Sequence, residues 1–216
     1  MCNLYSMTTT REALIRMFRV SDNRAAACDP LPAIFPGHVA PVVRHAPDSE
    51  RELILLSWGF VLPQQGRAAK RVTNARADKV RTSRFWRESF ETRRCLVPVS
   101  SFSEPKGRQP AVWHWFALKG DEPRPTFAFA GLWRHWKGQL KEGGESVDMD
   151  VFAFLTTSPN KVVSAIHPTR MPVMLGSQDE FDTWLEGTPD EAWQLARPYP
   201  ADKMHIVHKG EKQDAA

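Results

Sequence analysis

Apolar positions along the chain change spacing several times, and each change marks an element. Near the start, Thr9 followed three residues later by Glu12 forms a capping-box pattern. Leu14, Met17 and Phe18 then share one face of a helix that should end near Val20. A Pro-rich stretch from Asp29 to Pro41 reads as an irregular loop leading into a strand around Val39 to Arg44. Glu52 to Phe60 is a second, strongly apolar strand, and a long loop rich in Gln, Gly and Lys is expected after it. Phe85, Trp86 and Phe90 recur at helical spacing, which predicts a short helix over Ser83 to Glu91.

The middle of the chain reads as strands. Arg94 to Phe102, Val112 to Leu118, Thr126 to Trp133 and Met149 to Thr156 are enriched in β-branched and aromatic residues. Their connections are too short for crossover helices, so the strands should be antiparallel. Asn160 to Ile166 predicts a brief helix, and Ser177 with Glu180 and Thr188-Pro189 with Glu191 predict two more. Met204 to His208 closes the pattern as a strand. The expected fold class is α+β: a mostly antiparallel sheet or open barrel with peripheral helices.

Length and composition narrow this picture. A chain of 216 residues, 42% hydrophobic and 25% charged, suits one globular unit. We expect a single domain over residues 1–209 and a disordered polar tail over 210–216. The opening decapeptide lacks the apolar core of a signal peptide, and no run is long enough to span a bilayer, so a cytoplasmic protein without membrane contact is expected. The cysteines, Cys2, Cys28 and Cys95, are odd in number and contain no Cys-x-x-Cys pair. Disulfides and zinc are therefore not expected, nor is any other metal or cofactor.

The net charge of +4 permits nucleic-acid binding without demanding it. Basic residues gather between Arg67 and Arg94, and cations sit beside aromatics in Arg84-Phe85-Trp86-Arg87 and Trp133-Arg134-His135-Trp136-Lys137. Such pairs can stack bases and hold phosphates. They are equally what core tryptophans separated by solvated charges look like.

Common catalytic signatures are missing: the sequence has no Gly-x-Gly-x-x-Gly, P-loop, His-Glu-x-x-His or Gly-x-Ser-x-Gly. Cys2 stands out instead. Removing Met1 would leave a free 1,2-aminothiol whose α-amine, with a pKa of about 7.7 to 8, is far less protonated near neutrality than a lysine. Such an amine attacks an aldehyde to give an imine, and the neighbouring thiol can close a thiazolidine ring. From position alone, Cys2 is as well explained as a small buried hydrophobe in the first strand. Lipidation has no support, since Cys2 occupies the place of the glycine that myristoylation needs and no lipoprotein signal precedes it.

Four segments tip the balance. Met1-Cys2-Asn3-Leu4-Tyr5-Ser6, Asn74-Ala75-Arg76, the run from Arg93 to Glu104 and the run from Ile166 to Val173, together with Trp58-Gly59, span nearly the whole chain. In this order they resemble the SOS response-associated peptidase (SRAP) family, whose members process abasic sites in DNA. The resemblance implies a twisted, largely antiparallel β core with a positively charged groove for single-stranded DNA and the mature Cys2 at its floor. It assigns Asn74, Glu104 and His167 to catalysis beside Cys2. Asn74 would hold the sugar or an oxyanion, Glu104 would move protons at the α-amine, and His167 would act on the opening sugar. Arg76 and Arg170 fall where the family contacts phosphates, Arg84 is a weaker candidate for the same task, and Trp58 joins the DNA-binding set.

The implied activity is an abasic-site sensor that crosslinks to single-stranded DNA through a thiazolidine and shields the site from cleavage. It would work as a monomer, with peptidase-type removal of Met1, lyase-like imine chemistry and association with the nucleoid when bound. Three departures bear on the DNA grip. Asn3 and Leu4 replace the common Gly-Arg, Ser103 and Pro105 replace aromatics around Glu104, and one extra residue separates His167 from Arg170. Two other readings stay open: a cysteine peptidase using Cys2 and His167 without DNA, and a non-catalytic single-strand-binding protein.

Overall fold

The apolar strands assemble into two main sheets, described here from a computed structural model for residues 2–25, 29–46, 50–122 and 124–214. Cys28 lies outside the described residues. The first third contains β1 (Tyr5–Met7), α1 (Arg11–Phe18), β2 (Asp22–Asn23), β3 (Leu31–Ile34), β4 (Val39–His45), β5 (Arg51–Trp58), β6 (Phe60–Gln64) and β7 (Arg67–Val72). Then come β8 (Asn74–Arg76), α2 (Ala77–Val80), α3 (Arg87–Thr92), β9 (Arg94–Val99), β10 (Ser101–Lys106), β11 (Val112–Leu118) and β12 (Phe127–Gln139). The last part holds β13 (Ser146–Thr157), α4 (Lys161–Ser164), β14 (Met171–Pro172), β15 (Met174–Leu175), α5 (Gln178–Glu186), α6 (Pro189–Gln194) and β16 (Met204–Gly210).

The architecture is α+β and mostly antiparallel. One sheet has the order β16-β11-β10-β1-β3, and the larger one follows β14-β13-β12-β9-β4-β5-β2. The larger sheet curls until β5 meets β13 in parallel, with Val151 opposite Ser57 and Phe152 opposite Trp58. This contact closes β13, β12, β9, β4 and β5 into a ring and removes two edges that would otherwise expose unpaired backbone. Among the described residues, no helix is long and apolar enough to cross a membrane.

Strand placement departs from the sequence pattern in two informative ways. The run from Arg94 to Phe102 is not one strand, because it breaks at Ser100, whose N–H donates to the Ser6 carbonyl at 2.9 Å. β9 therefore stays in the ring while β10 leaves it to pair with β1 and β11. The segment expected to be a long loop is a hairpin, β6–β7, with Phe60 opposite Val72 and Val61 opposite Arg71. Its outer residues are polar and its turn uses Gly66 at φ 67°, a conformation that suits glycine.

Local helix signals mostly hold. Ser177 accepts from the Glu180 N–H, and Thr188 with Glu191 forms the full capping box behind Pro189. At α1 the cap is Thr10, not Thr9: its side chain accepts from Ala13 N–H, while the Thr9 hydroxyl is held by Thr126. The helix expected from Ser83 is regular only over Arg87–Thr92. The C-terminal segment makes contacts up to its last described residue. Asp214 is buried, accepts from Ser101 Oγ at 2.5 Å and pairs with Arg124 at 2.7 Å. The buried carboxylate thus has one cationic and one hydroxyl donor there.

Beneath the N-terminal strand lies an aromatic cluster. Tyr5 meets Trp58 edge-on at 5.1 Å and Phe129 at 5.8 Å, while Trp58 stacks on Phe154 at 5.3 Å. Aromatic pairs in these geometries each add about 1 kcal/mol beyond their buried area. The cluster fixes β1 against β5 and β13, and so fixes what precedes Tyr5.

Candidate functional site

Cys2 is positioned by the strand that follows it. Tyr5 lies opposite Phe102, Ser6 opposite Ser101, and Ser103 N–H donates to the Leu4 carbonyl at 2.9 Å. Antiparallel pairing therefore brings the residues just before Leu4 alongside Glu104, the next residue of β10. Cys2 is 1% exposed, and its Sγ lies 3.5 Å from the Leu4 carbonyl oxygen. Glu104 is fully buried.

Their electrostatics are linked. Burial pushes the Glu104 carboxyl up to about 7. Burial also drives the Cys2 thiol well above its ordinary range, and the Glu104 charge pushes in the same direction. At neutral pH the site thus holds a protonated thiol beside a carboxyl poised between its two states. A group balanced in this way can both take and return a proton.

Asn74 closes the site from the other sheet. It begins β8, which runs parallel to β13 with Asn74 opposite Phe154. Its Nδ2 donates to the Cys2 carbonyl at 2.8 Å and to Thr73 Oγ1 at 2.7 Å. Its buried Oδ1 has no hydrogen-bond partner among the described residues. Thr73, which the sequence did not single out, links the parts together. Its hydroxyl donates to Asn3 Oδ1 at 3.0 Å, and its carbonyl accepts from Trp58 Nε1 at 3.2 Å. Asn3, one of the departures from the family pattern, is thereby tied to Thr73. Nothing in the local sequence marks Thr73 beyond its place before Asn74.

The remaining polar residues gather at the end of β13. Thr156 pairs with Arg76 on one side and with Pro172 of β14 on the other. Arg170 donates to Thr156 Oγ1 at 3.0 Å and to the Thr156 carbonyl at 2.6 Å, and it reaches Asp78 at 3.1 Å. Arg76 pairs with the other Asp78 oxygen at 2.7 Å. The Arg76 hydrogen bond is the main reason the Asp78 carboxyl sits at about 2. His167, half-buried in the turn before β14, has Nδ1 3.0 Å from the Arg170 carbonyl. Burial lowers its pKa, so the imidazole is neutral at pH 7. Arg84 is exposed and forms no ion pair among the described residues.

Trp58 does not fit the role of a DNA contact. It is fully buried, stacked on Phe154 and hydrogen-bonded to Thr73, which leaves no ring face for a base. Two of the aromatics in the basic-aromatic runs are covered by arginines inside the fold. The Arg134 guanidinium lies 4.4 Å from the centres of both Phe60 and Phe85, and Arg44 lies 3.8 Å over Trp133. Among the described residues, no three His, Cys, Asp or Glu side chains converge as metal ligands would.

Comparison with known proteins places this geometry in a family. The model of the SOS response associated peptidase family matches residues 1–211. Abasic site processing protein YoqW of Bacillus subtilis (strain 168) is 32% identical over 161 residues, covering 72% of this chain and 68% of the relative. Abasic site processing protein YoaM of the same organism is 30% identical, covering 72% and 67%. The fold recurs in a crystal structure of a Bacteroides thetaiotaomicron protein, with a TM-score of 0.75 and 22% identity over 95% of this chain and 90% of that one. A Bordetella bronchiseptica protein matches at TM-score 0.73 and 22% identity, over 97% and 98%. With the family model spanning all four segments that carry Cys2, Asn74, Glu104 and His167, the chain belongs to the SOS response associated peptidase (SRAP) family.

Proposed function

We propose that this chain processes abasic sites in single-stranded DNA by bonding covalently to the abasic sugar through Cys2. The observation that carries this reading is the anchored Cys2: its carbonyl is held by Asn74 Nδ2 at 2.8 Å, beside a buried Glu104 whose carboxyl titrates at about 7. The names of the curated relatives supply the substrate class.

Hydrolysis of the Met1–Cys2 peptide bond frees the α-amine. The amine adds to the aldehyde carbon of the ring-opened sugar to form a carbinolamine, which loses water to give an imine. The thiol sulfur then bonds to the imine carbon while its proton passes to nitrogen, closing a thiazolidine. Hydrolysis consumes one water and releases methionine, the condensation with the aldehyde releases one water, and every step is redox-neutral. Glu104 serves as the proton carrier, since a carboxyl near its midpoint at neutral pH can protonate the departing hydroxyl and accept a proton afterwards. Neutral His167 serves as base for opening the sugar ring, and Asn74 keeps the Cys2 backbone in register with Glu104. Arg76 and Arg170 bind phosphates in exchange for Asp78.

The protonated thiol favours this route over a cysteine peptidase. Peptidase nucleophiles of that class are thiolates with depressed pKa values, whereas burial here raises the thiol. The decisive experiment mixes the protein with single-stranded DNA carrying one abasic site and resolves the products under denaturing conditions. A stable adduct is expected from the native sequence and none from Cys2→Ala. An equal yield from the two proteins refutes the covalent reading.

A further inference from the structure

A cavity of about 280 Å³ opens at the end of β13, beside the arginines just described. It is lined by Trp193 of α6, the small side chains Ala77 and Ala196, and the polar residues Asp78, Thr157, Ser158 and Arg170. Trp193 is half-buried and firmly held. Phe90 meets it edge-on at 6.3 Å, and the Arg81 guanidinium lies 5.7 Å from its ring centre. An ion pair between Arg81 and Asp190 at 2.5 Å ties the end of α2 to the start of α6.

An indole lining beside small side chains, with several donors and acceptors, suits a flat heteroaromatic ring with polar edges. The volume lies just below the usual range for small-molecule sites, about 300 to 1,000 Å³, and suits a single nucleotide unit. Arg170 lines this cavity and is also bonded to Thr156, the residue paired with Arg76. An occupant here would therefore be continuous with a strand whose phosphates reach Arg76 and Arg170. Asp78 does not make the mouth acidic, because both arginines pair with it and the triad keeps a net positive charge.

We propose that this cavity is a nucleobase subsite, taking the base of a nucleotide next to the abasic sugar against Trp193 while Arg170 holds the intervening phosphate. The inference rests on the single-stranded DNA reading above and adds a second point of contact to it. A stacked base contributes enough that losing it weakens single-strand binding by about tenfold.

The test uses a short single-stranded oligonucleotide with a tetrahydrofuran abasic analogue, which binds without bonding, and 2-aminopurine placed in turn on either side of it. Fluorescence should fall at one position when the native protein binds. Trp193→Leu should restore that fluorescence and weaken binding about tenfold. Ser158→Glu, at an exposed rim position, should do the same without touching the apolar packing of α6. Native-like quenching and affinity in Ser158→Glu, or quenching at neither position, overturns the subsite. Adduct formation on true abasic DNA is measured in parallel. An adduct without position-specific quenching sinks the subsite alone, and no adduct from the native protein sinks the covalent reading.

Discussion

Replacing Glu104 by glutamine should stabilise the protein in a pH-dependent way while disabling it. The carboxyl is fully buried and titrates at about 7, against an ordinary value of 4.5. A raised carboxyl pKa means that the folded state binds the proton more tightly than the unfolded chain does. Folding is therefore unpenalised below about pH 4.5 and loses stability as pH climbs towards 7, where the native carboxylate must ionise out of water. At about 1.4 kcal/mol per pH unit, the difference amounts to about 3 kcal/mol above pH 7. Glutamine keeps the shape and never ionises. Urea denaturation followed by far-UV circular dichroism should find Glu104→Gln about 3 kcal/mol more stable than the native protein near pH 8 and nearly equal to it near pH 4.5. Adduct formation should fall at least about a hundredfold, since the proton carrier is gone. A stability difference independent of pH, or a variant less stable at pH 8, refutes the argument that burial has raised this carboxyl.

Three other outcomes follow from the contacts. Asn74→Ala removes the donor to the Cys2 carbonyl and should slow adduct formation about a hundredfold in a quenched time course; rates within about twofold of native would show that the contact does no positioning. Trp58→Phe loses the bond to the Thr73 carbonyl and should cost about 1–3 kcal/mol of stability, with unchanged DNA affinity; weakened binding at full stability would restore a DNA role for this residue. Asp214→Ala removes the carboxylate that pairs with Arg124 and accepts from Ser101, whose hydroxyl keeps only Ser6, and should cost about 3 kcal/mol near neutral pH. Burial acts to raise the Asp214 carboxyl, but hydrogen bonds from Arg124 and Ser101 outweigh it and hold it below its ordinary value. That stability is present above the ordinary carboxylate range and disappears as pH falls through the lowered value, so native and variant unfolding curves should converge in acid.

The sequence was most legible where structure is local. Ser177 and Thr188 cap their helices as read, because a cap needs only the next three residues. Thr9 and Thr10 could not be separated, since the choice depends on Thr126, 117 residues away. The β6–β7 hairpin was read as a loop because its exposed residues carry no inward-outward alternation to reveal pairing. Parallel contacts such as β5–β13 leave no trace in turn lengths, so the closure of the ring was not visible. Cys2 was marked by position and Asn74 by resemblance, but their hydrogen bond spans 72 residues and is purely tertiary. Tryptophan suits a base-stacking face and a core equally well, and only the neighbours of Trp58, which bury it against Phe154, distinguish the two.

The concealed thiol also bears on oxidative chemistry. Peroxides attack thiolates at accessible positions, and Cys2 is neither ionised nor open to solvent, which slows the first step to a sulfenic acid. An exposed cysteine of low pKa would be consumed early under oxidising conditions. The burial that makes this thiol a poor scavenger of peroxide should also leave its sulfur reduced where an accessible thiolate would be oxidised.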